Sequence, residues 1–192
     1  MNGHSYIEVD IMAKNKKDDI LEAAYDLFLQ YGYDNASVKM IAEQAGVAQG
    51  LLYNFYKSKE LLFGDVLRMA YDRFRSKMIA VALNNKDIPP EEYLAIYADT
   101  IKENRKEARF LLSTSLMPKF RYRSEVILKE YSDGMIEMMK PLFPDVDDES
   151  LYNIGSLLLA ISDSYIIDGD RERAIRTGVF AVNLFIESLN NS

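Results

Sequence analysis

The sequence predicts an all-α protein of about nine helices, with a helix-turn-helix in a three-helix amino-terminal part and a longer helical part after it. Three observations predict it. Apolar residues recur at helical spacing almost throughout the 192 residues, with no alternating strand pattern and no internal repeat. Residues 38–57, VKMIAEQAGVAQGLLYNFYK, place small and apolar residues where two short helices must cross at close range. The last two helices are apolar nearly all the way round.

Residues 1–13 precede the periodic pattern and are expected to form a flexible tail; they lack the basic start, apolar run and small-residue cleavage site of a secretory signal. The first helix is predicted over 15–31, with Ile20, Ala24, Leu27, Phe28 and Tyr31 on one face and Asp18, Asp19 and Glu22 near its positive end. Gly32 stops it, and Ser37 is suited to cap the second helix by accepting a free backbone N–H. In that helix Ile41 begins a buried face, while Ala42 and Ala45 are small enough for a close crossing. Gly46 supplies the turn, where a positive φ would cost a residue with a β-carbon about 1 kcal/mol. Val47 re-enters the core, and Leu52 with Phe55 or Tyr56 buries the third helix. A helix held across another in this way has the geometry that enters a DNA major groove.

Lys59 begins a long fourth helix, apolar at Leu62, Val66, Met69, Ala70 and Phe74, which fades into Asn84, Asn85, Lys86 and Asp87 before Pro89 and Pro90. The domain boundaries are expected at 14–67 and 68–192. A fifth helix opens at Pro90 with Glu91 and Glu92 in its first turn. A sixth over 107–117 ends before Pro118, and a seventh over 123–140 ends before Pro141. Asp147 caps an eighth that runs to about Ile167; Asp168, Gly169 and Asp170 break it, and a ninth follows over 171–189. Leu151, Ile154, Gly155, Leu158, Ile161, Ser162 and Tyr165 make one face of the eighth, with Leu157, Leu159, Ala160 and Ile166 off it. The ninth repeats the arrangement, with Ile175, Gly178, Val182, Phe185 and Leu189 opposed by Val179, Leu184 and Ile186. A helix with two apolar faces wants two partners: the chain's own core and, most simply, a second copy, which predicts a homodimer through helices eight and nine. The alternative is that both faces are internal.

The bulk properties exclude more than they assign. At 48% hydrophobic with no run read as a membrane span, the chain is expected to be soluble, with no membrane partner. It has no cysteine, which fits a reducing, cytoplasmic compartment. His4 is the sole histidine, so a nucleophilic triad has neither base nor thiol, and no catalytic residue is expected. Asp145, Asp147, Asp148 and Glu149 cluster, but without the glycine and ligand series of a calcium loop; helix capping explains them, and no metal or cofactor is expected. The net charge is −7: six basic against ten acidic residues up to Leu67, thirteen against nine from Arg68 to Glu130, and four against eleven from Tyr131 onward. The helix-turn-helix part is therefore not basic as a whole, but Lys14, Lys16, Lys17, Lys39, Lys57 and Lys59 stand at or near the ends of its elements, where phosphate contacts are made.

Taken together, ILEAAYDLFLQYGY, then Ser37 before IAEQAGVAQG, then LLYNFYKSKELL, resemble the DNA-binding domain of the TetR family of transcriptional regulators over residues 16–67. The resemblance implies a recognition helix over 48–56 with Gln49, Gly50, Tyr53 and Asn54 facing base edges, Lys39 reaching a guanine or phosphate, and Ser37, Tyr53, Lys57 and Lys59 on phosphates. Leu51 and Phe55 depart from the small hydroxyl residue and histidine common in relatives. The resemblance further implies a carboxy-terminal domain for ligand binding and dimerisation, and a repressor released from a palindromic operator by a small apolar or amphipathic effector. Tyr93, Tyr97, Phe110, Met117, Tyr131, Met135 and Met139 are the expected pocket lining, Met-rich walls being adaptable. Asp163, within a largely apolar helix, is either paired with Arg109 or another arginine or anchors a donor group of the ligand. A competing reading keeps the DNA binding but gives the carboxy-terminal half to a protein partner.

Overall fold

The computed structural model describes the backbone of residues 3–85, 88–120, 126, 129–130, 133–134, 136, 139–140 and 143–190, with side chains from Lys14 to Leu189 within that set. Eight helices are defined there: α1 Gly3–Asn35, α2 Val38–Gln44, α3 Gln49–Phe55, α4 Lys59–Asn84, α5 Pro90–Glu103, α6 Arg105–Ser115, α7 Asp148–Asp168 and α8 Arg171–Asn190. The seventh helix predicted from the sequence falls largely outside the described residues. The described members of 123–140 are helical, except for Lys140, a turn residue at the end. The chain divides into two compact units, residues 1–70 and 71–192, so the boundary lies within α4 just past the expected position.

In the first unit α1 begins at Gly3, not after a tail ending at Ala13. No glycine or proline stands between His4 and Tyr31, and adding residues to an existing helix is far cheaper than nucleating one. Gly32 breaks the helix with φ 75° and ψ 170°. That break turns the chain, so Tyr31, expected in the core, is exposed, and Tyr33 is buried instead. Tyr33 stacks on Phe28 at 5.9 Å between ring centroids, and Phe63 of α4 meets both edge-on at 4.9 Å. Edge-to-face pairs of this kind add about 0.5–1.5 kcal/mol each beyond their buried area. The Tyr33 hydroxyl donates to Glu60 at 2.8 Å. Around this trio pack Ile20, Ala24, Leu27, Ile41, Leu52 and Leu62, all buried.

In the second unit α7 and α8 pack on each other, and both pack on α5. α7 spans 21 residues and is long and apolar enough to cross a membrane by length and composition, which the sequence reading did not anticipate. Here it packs against α5, α6 and α8, with Leu151, Ile154, Tyr165 and Ile166 buried. The Asp147 side chain caps it by accepting from the Ser150 N–H at 2.8 Å. At its other end Gly169 has φ 78° and donates its N–H to the Tyr165 carbonyl at 2.8 Å. Arg105 completes the cap, donating to the carbonyls of Ile166 and Ile167 at 3.2 and 3.3 Å. A β-carbon at Gly169 would come within 2.9 Å of that guanidinium, so backbone and space both require glycine there. Gly178 brings α8 against Leu94 of α5, where an added β-carbon would lie 3.0 Å from a leucine methyl.

A bidentate pair also ties α8 to α5. Arg171 donates from Nε and a terminal nitrogen to the two carboxylate oxygens of Asp99 at 2.7 and 2.8 Å. Hydrogen bonds from Arg171 hold the Asp99 carboxyl below its ordinary range. A carboxyl depressed in the folded state contributes stability above its unfolded pKa of about 4, and the contribution is lost as pH falls through the lower native value. Asp99→Asn should therefore lower the melting temperature at pH 7 and flatten the acid limb of stability between pH 5 and 3. The pair is half exposed, so a loss under about 1 kcal/mol is expected from denaturant titrations.

Candidate DNA-reading surface and internal cavity

The first candidate site is the surface of α2 and α3. Ser37 Oγ accepts the Met40 N–H at 3.1 Å and so fixes the start of α2, leaving its own hydroxyl proton to donate outward. Gly46 adopts φ 63°, and the Val47 N–H reaches back to the Ala42 carbonyl at 3.0 Å, which closes the turn. Leu52 and Tyr56 anchor α3 in the core, and Phe55 is half-buried. That anchoring leaves Gln49, Gly50, Tyr53 and Asn54 exposed, with Leu51 beside them and Lys57 just beyond the helix end. A β-carbon at Gly50 would meet nothing within 4 Å, so the protein's own packing does not call for glycine there.

The two other lysines differ in freedom. Lys39 is exposed and 3.8 Å from Glu43, a contact too open to hold it. Lys59 is committed: its ammonium lies 4.3 Å over the Tyr33 ring and 3.5 Å from the Asp34 carbonyl. A phosphate contact by Lys59 would therefore be made by an ammonium already oriented by the fold.

The second candidate site is a cavity of about 320 Å³ within the second unit. α4 supplies Met78, Ala82 and Asn85 to its wall, and α5 supplies Tyr93, Leu94 and Tyr97. α7 contributes Ile154, Leu158, Ile161 and Ser162, and Phe143, Val182 and Phe185 close it. Among the residues expected from the sequence, Tyr93, Tyr97 and Met139 lie on this wall. Phe110 is buried in α6 and Met117 half-buried after it, both off the wall, while Tyr131 and Met135 lie outside the described residues. Most of the wall comes from α7 and α8, whose apolar faces read as ordinary core. Gly155, Ser162 and Gly178, small residues on those faces, were the available signal that side chains stop short of one another there.

Tyr93 and Tyr97 stack with centroids 6.2 Å apart, and burial pushes both phenols well above their ordinary value. Both are therefore neutral at physiological pH. Ser162 Oγ lies 3.3 Å from the Tyr97 hydroxyl. Among the described residues, no group of three or more His, Asp or Glu side chains is placed to hold a metal ion, and Asp147 and Asp148 are occupied with Ser150 and Lys140.

Residues 20–66 match the family model for bacterial regulatory proteins of the tetR family. The chain is 29% identical over 116 residues to the uncharacterized HTH-type transcriptional regulator YuxN of Bacillus subtilis, covering 59% of this chain and 38% of that one. It is 32% identical over 98 residues to the HTH-type transcriptional regulator RutR of Escherichia coli, covering 49% and 45%. The chain thus spans less than half the length of these relatives. Its fold is similar to that of the multidrug binding protein EbrR, solved in complex with imidazole, with a TM-score of 0.69 and 18% identity over 86% of this chain and 94% of that one.

Asp163 adjoins Ser162 but does not line the cavity. It is half-buried and, among the described residues, pairs with neither Arg109 nor another arginine. Desolvation raises its carboxyl above the ordinary range, and its charge in turn raises the phenols of Tyr71 and Tyr97. An acid raised in the folded state stabilises the fold fully only below its unfolded pKa, and the contribution is lost as pH rises through the folded value. Asp163→Asn should therefore raise the melting temperature at pH 7 and give a smaller gain at pH 4; an equal gain at both would show that ionisation is not the cause.

Proposed function

The chain belongs to the TetR family of regulators, and from that premise we propose that it is a homodimeric transcriptional repressor released from a palindromic operator by a small effector. The observation that carries this reading is the double duty of α4, whose Leu62, Phe63 and Val66 are buried in the DNA-reading unit and whose Met78, Ala82 and Asn85 form cavity wall in the other. A helix that belongs to both units is a physical route by which occupancy of one site can bias the other. A hundredfold preference of the effector for the non-binding state would weaken operator binding by about 2.7 kcal/mol. The cavity favours a small effector over a protein partner for the second unit.

On the operator, Gln49 and Asn54 supply amides that donate and accept together, as adenine requires, at about 1–3 kcal/mol of discrimination per good bidentate contact. Gly50 admits the DNA backbone, and Ser37, Lys39, Tyr53, Lys57 and Lys59 meet phosphates. The dimer forms through α7 and α8. In the single copy Leu157, Ile167, Phe180 and Leu184 are exposed at helical spacing, Ile167 and Phe180 by more than 60%, and apolar faces of this kind mark interaction surfaces. Two reading heads would then meet successive major grooves about 34 Å apart or a multiple of it. The protein acts in the cytoplasm and has no catalytic role.

Gly50→Ala should leave the melting temperature unchanged or slightly raised while weakening operator binding at least about tenfold in fluorescence anisotropy. Unchanged operator affinity in that variant would remove α3 from the interface. Lys57→Ala should weaken binding to all sequences alike and reduce the slope of log Kd against log salt by about 0.9. Phe180→Glu should shift sedimentation at micromolar concentration from dimer to monomer; a dimer that survives it would place the interface elsewhere.

A further inference from the structure

The cavity lies between two clusters of the second unit's core, and the clusters differ in chemistry. One contains Met78, Ala98, Ile101 and Tyr165 with Tyr97 packed on it. The other contains Met139 and Ile154 with Phe143, Leu158 and Phe185 packed on it, and is hydrocarbon and aromatic throughout. Hydroxyl groups face the space only from the first side.

The hydrogen bonds there leave capacity to spare. Ser162 Oγ is 2.8 Å from the Leu158 carbonyl and 3.3 Å from the Tyr97 hydroxyl. It has one proton, a carbonyl can only accept, and the shorter contact takes it. The Tyr97 hydroxyl then donates toward Ser162, and its lone pairs stay available as acceptors. Tyr93, stacked on Tyr97, has no protein hydrogen-bond partner among the described residues, and its proton is free to be given. The two phenols together thus present one donor and one acceptor. No described residue lining the cavity is an aspartate, glutamate, lysine or arginine. A buried charge without a partner costs several kcal/mol, so a carboxylate or an ammonium entering this space would be penalised heavily.

We propose that the cavity takes an uncharged, single-headed amphiphile, with a hydroxyl-type head held by Tyr93 and Tyr97 and a medium-length apolar tail lying toward Phe143 and Phe185. A volume of 320 Å³ is about ten waters' worth of liquid, at the small end for ligand sites, and matches a tail of roughly eight carbons. The inference rests on the reading of this cavity as the effector site, but it concerns the ligand's chemistry.

The test uses the full chain and three probes of one tail length: 1-octanol, octanoate and octyltrimethylammonium, each titrated calorimetrically at pH 7.5. Octanol should bind, and the two ions should bind at least about tenfold more weakly. Tyr93→Phe should weaken octanol about fivefold, the loss of one neutral hydrogen bond, with an unchanged melting temperature, and Tyr97→Phe should act in the same direction. Equal or tighter binding of either ion, or an octanol affinity unmoved by both substitutions, would overturn the proposal. Operator binding is read separately in the presence of octanol. Octanol binding that leaves operator affinity unchanged would leave the cavity's chemistry standing and count against its regulatory role.

Discussion

Helix α4 has to satisfy two cores with one 26-residue element. Its first turns carry Leu62, Phe63, Val66 and Leu67 into the amino-terminal unit, where Phe63 completes the aromatic trio with Phe28 and Tyr33. Its later turns carry Tyr71, Met78 and Ala82 into the other. Each half is held by contacts worth about 1.5–3 kcal/mol per large buried side chain, so neither end can rotate about the helix axis without losing its own core. The remaining features follow from that constraint. The reading helix is braced by the same core that holds the start of α4, and the cavity is walled by the side chains near its end.

The amino-terminal unit is acidic up to Leu67, so bulk attraction to phosphate does little for it and placement must do more. The fold supplies placement at small cost. Ser37 serves as a cap and keeps a proton to donate, and Lys59 is aimed by the Tyr33 ring and the Asp34 carbonyl. A preoriented ammonium loses less side-chain entropy on meeting a phosphate than a free one does. Weak nonspecific attraction combined with prearranged contacts favours discrimination over indiscriminate adhesion.

The local signals in the sequence were legible because each has one physical meaning. Gly46 at a positive φ, Ser37 and Asp147 as caps, Gly169 in the left-handed region and Leu52 beneath the reading helix all follow from backbone geometry and short spacing. Tyr31 and Tyr33 were misplaced because helical spacing was carried through Gly32, and one non-helical residue changes which side chain faces inward. The tail was misread because helix continuation depends on the absence of breakers more than on an apolar stripe. The cavity was hardest. Ile154, Leu158 and Phe185 have the same spacing whether they face a filled core or an open space, so periodicity found the apolar faces but not the gap between them. Tyr93, Tyr97 and Met139 reach the wall from outside those two helices, whereas Phe110 and Met117 share their composition but not their place.

That gap is too costly to be an accident of packing. Destabilisation rises by about 24 cal/mol per Å³ of cavity, so closing 320 Å³ would recover on the order of 8 kcal/mol, comparable with the whole stability of a small domain. The surroundings show what keeps the space from closing. Arg171 and Asp99 fix α8 to α5 with two short bonds, Arg105 pins the end of α7 through two carbonyls, and Gly178 sets the α5 to α8 distance through Leu94. These fasteners are polar or steric and sit beside the cavity, so they hold the helices apart without drawing on the apolar contacts that would collapse it. A molecule that filled the space would regain part of that packing energy on binding, and by linkage would stabilise whichever arrangement of α4 accommodates it. The instability built into the cavity is therefore also the source of the free energy by which occupancy could act at a distance.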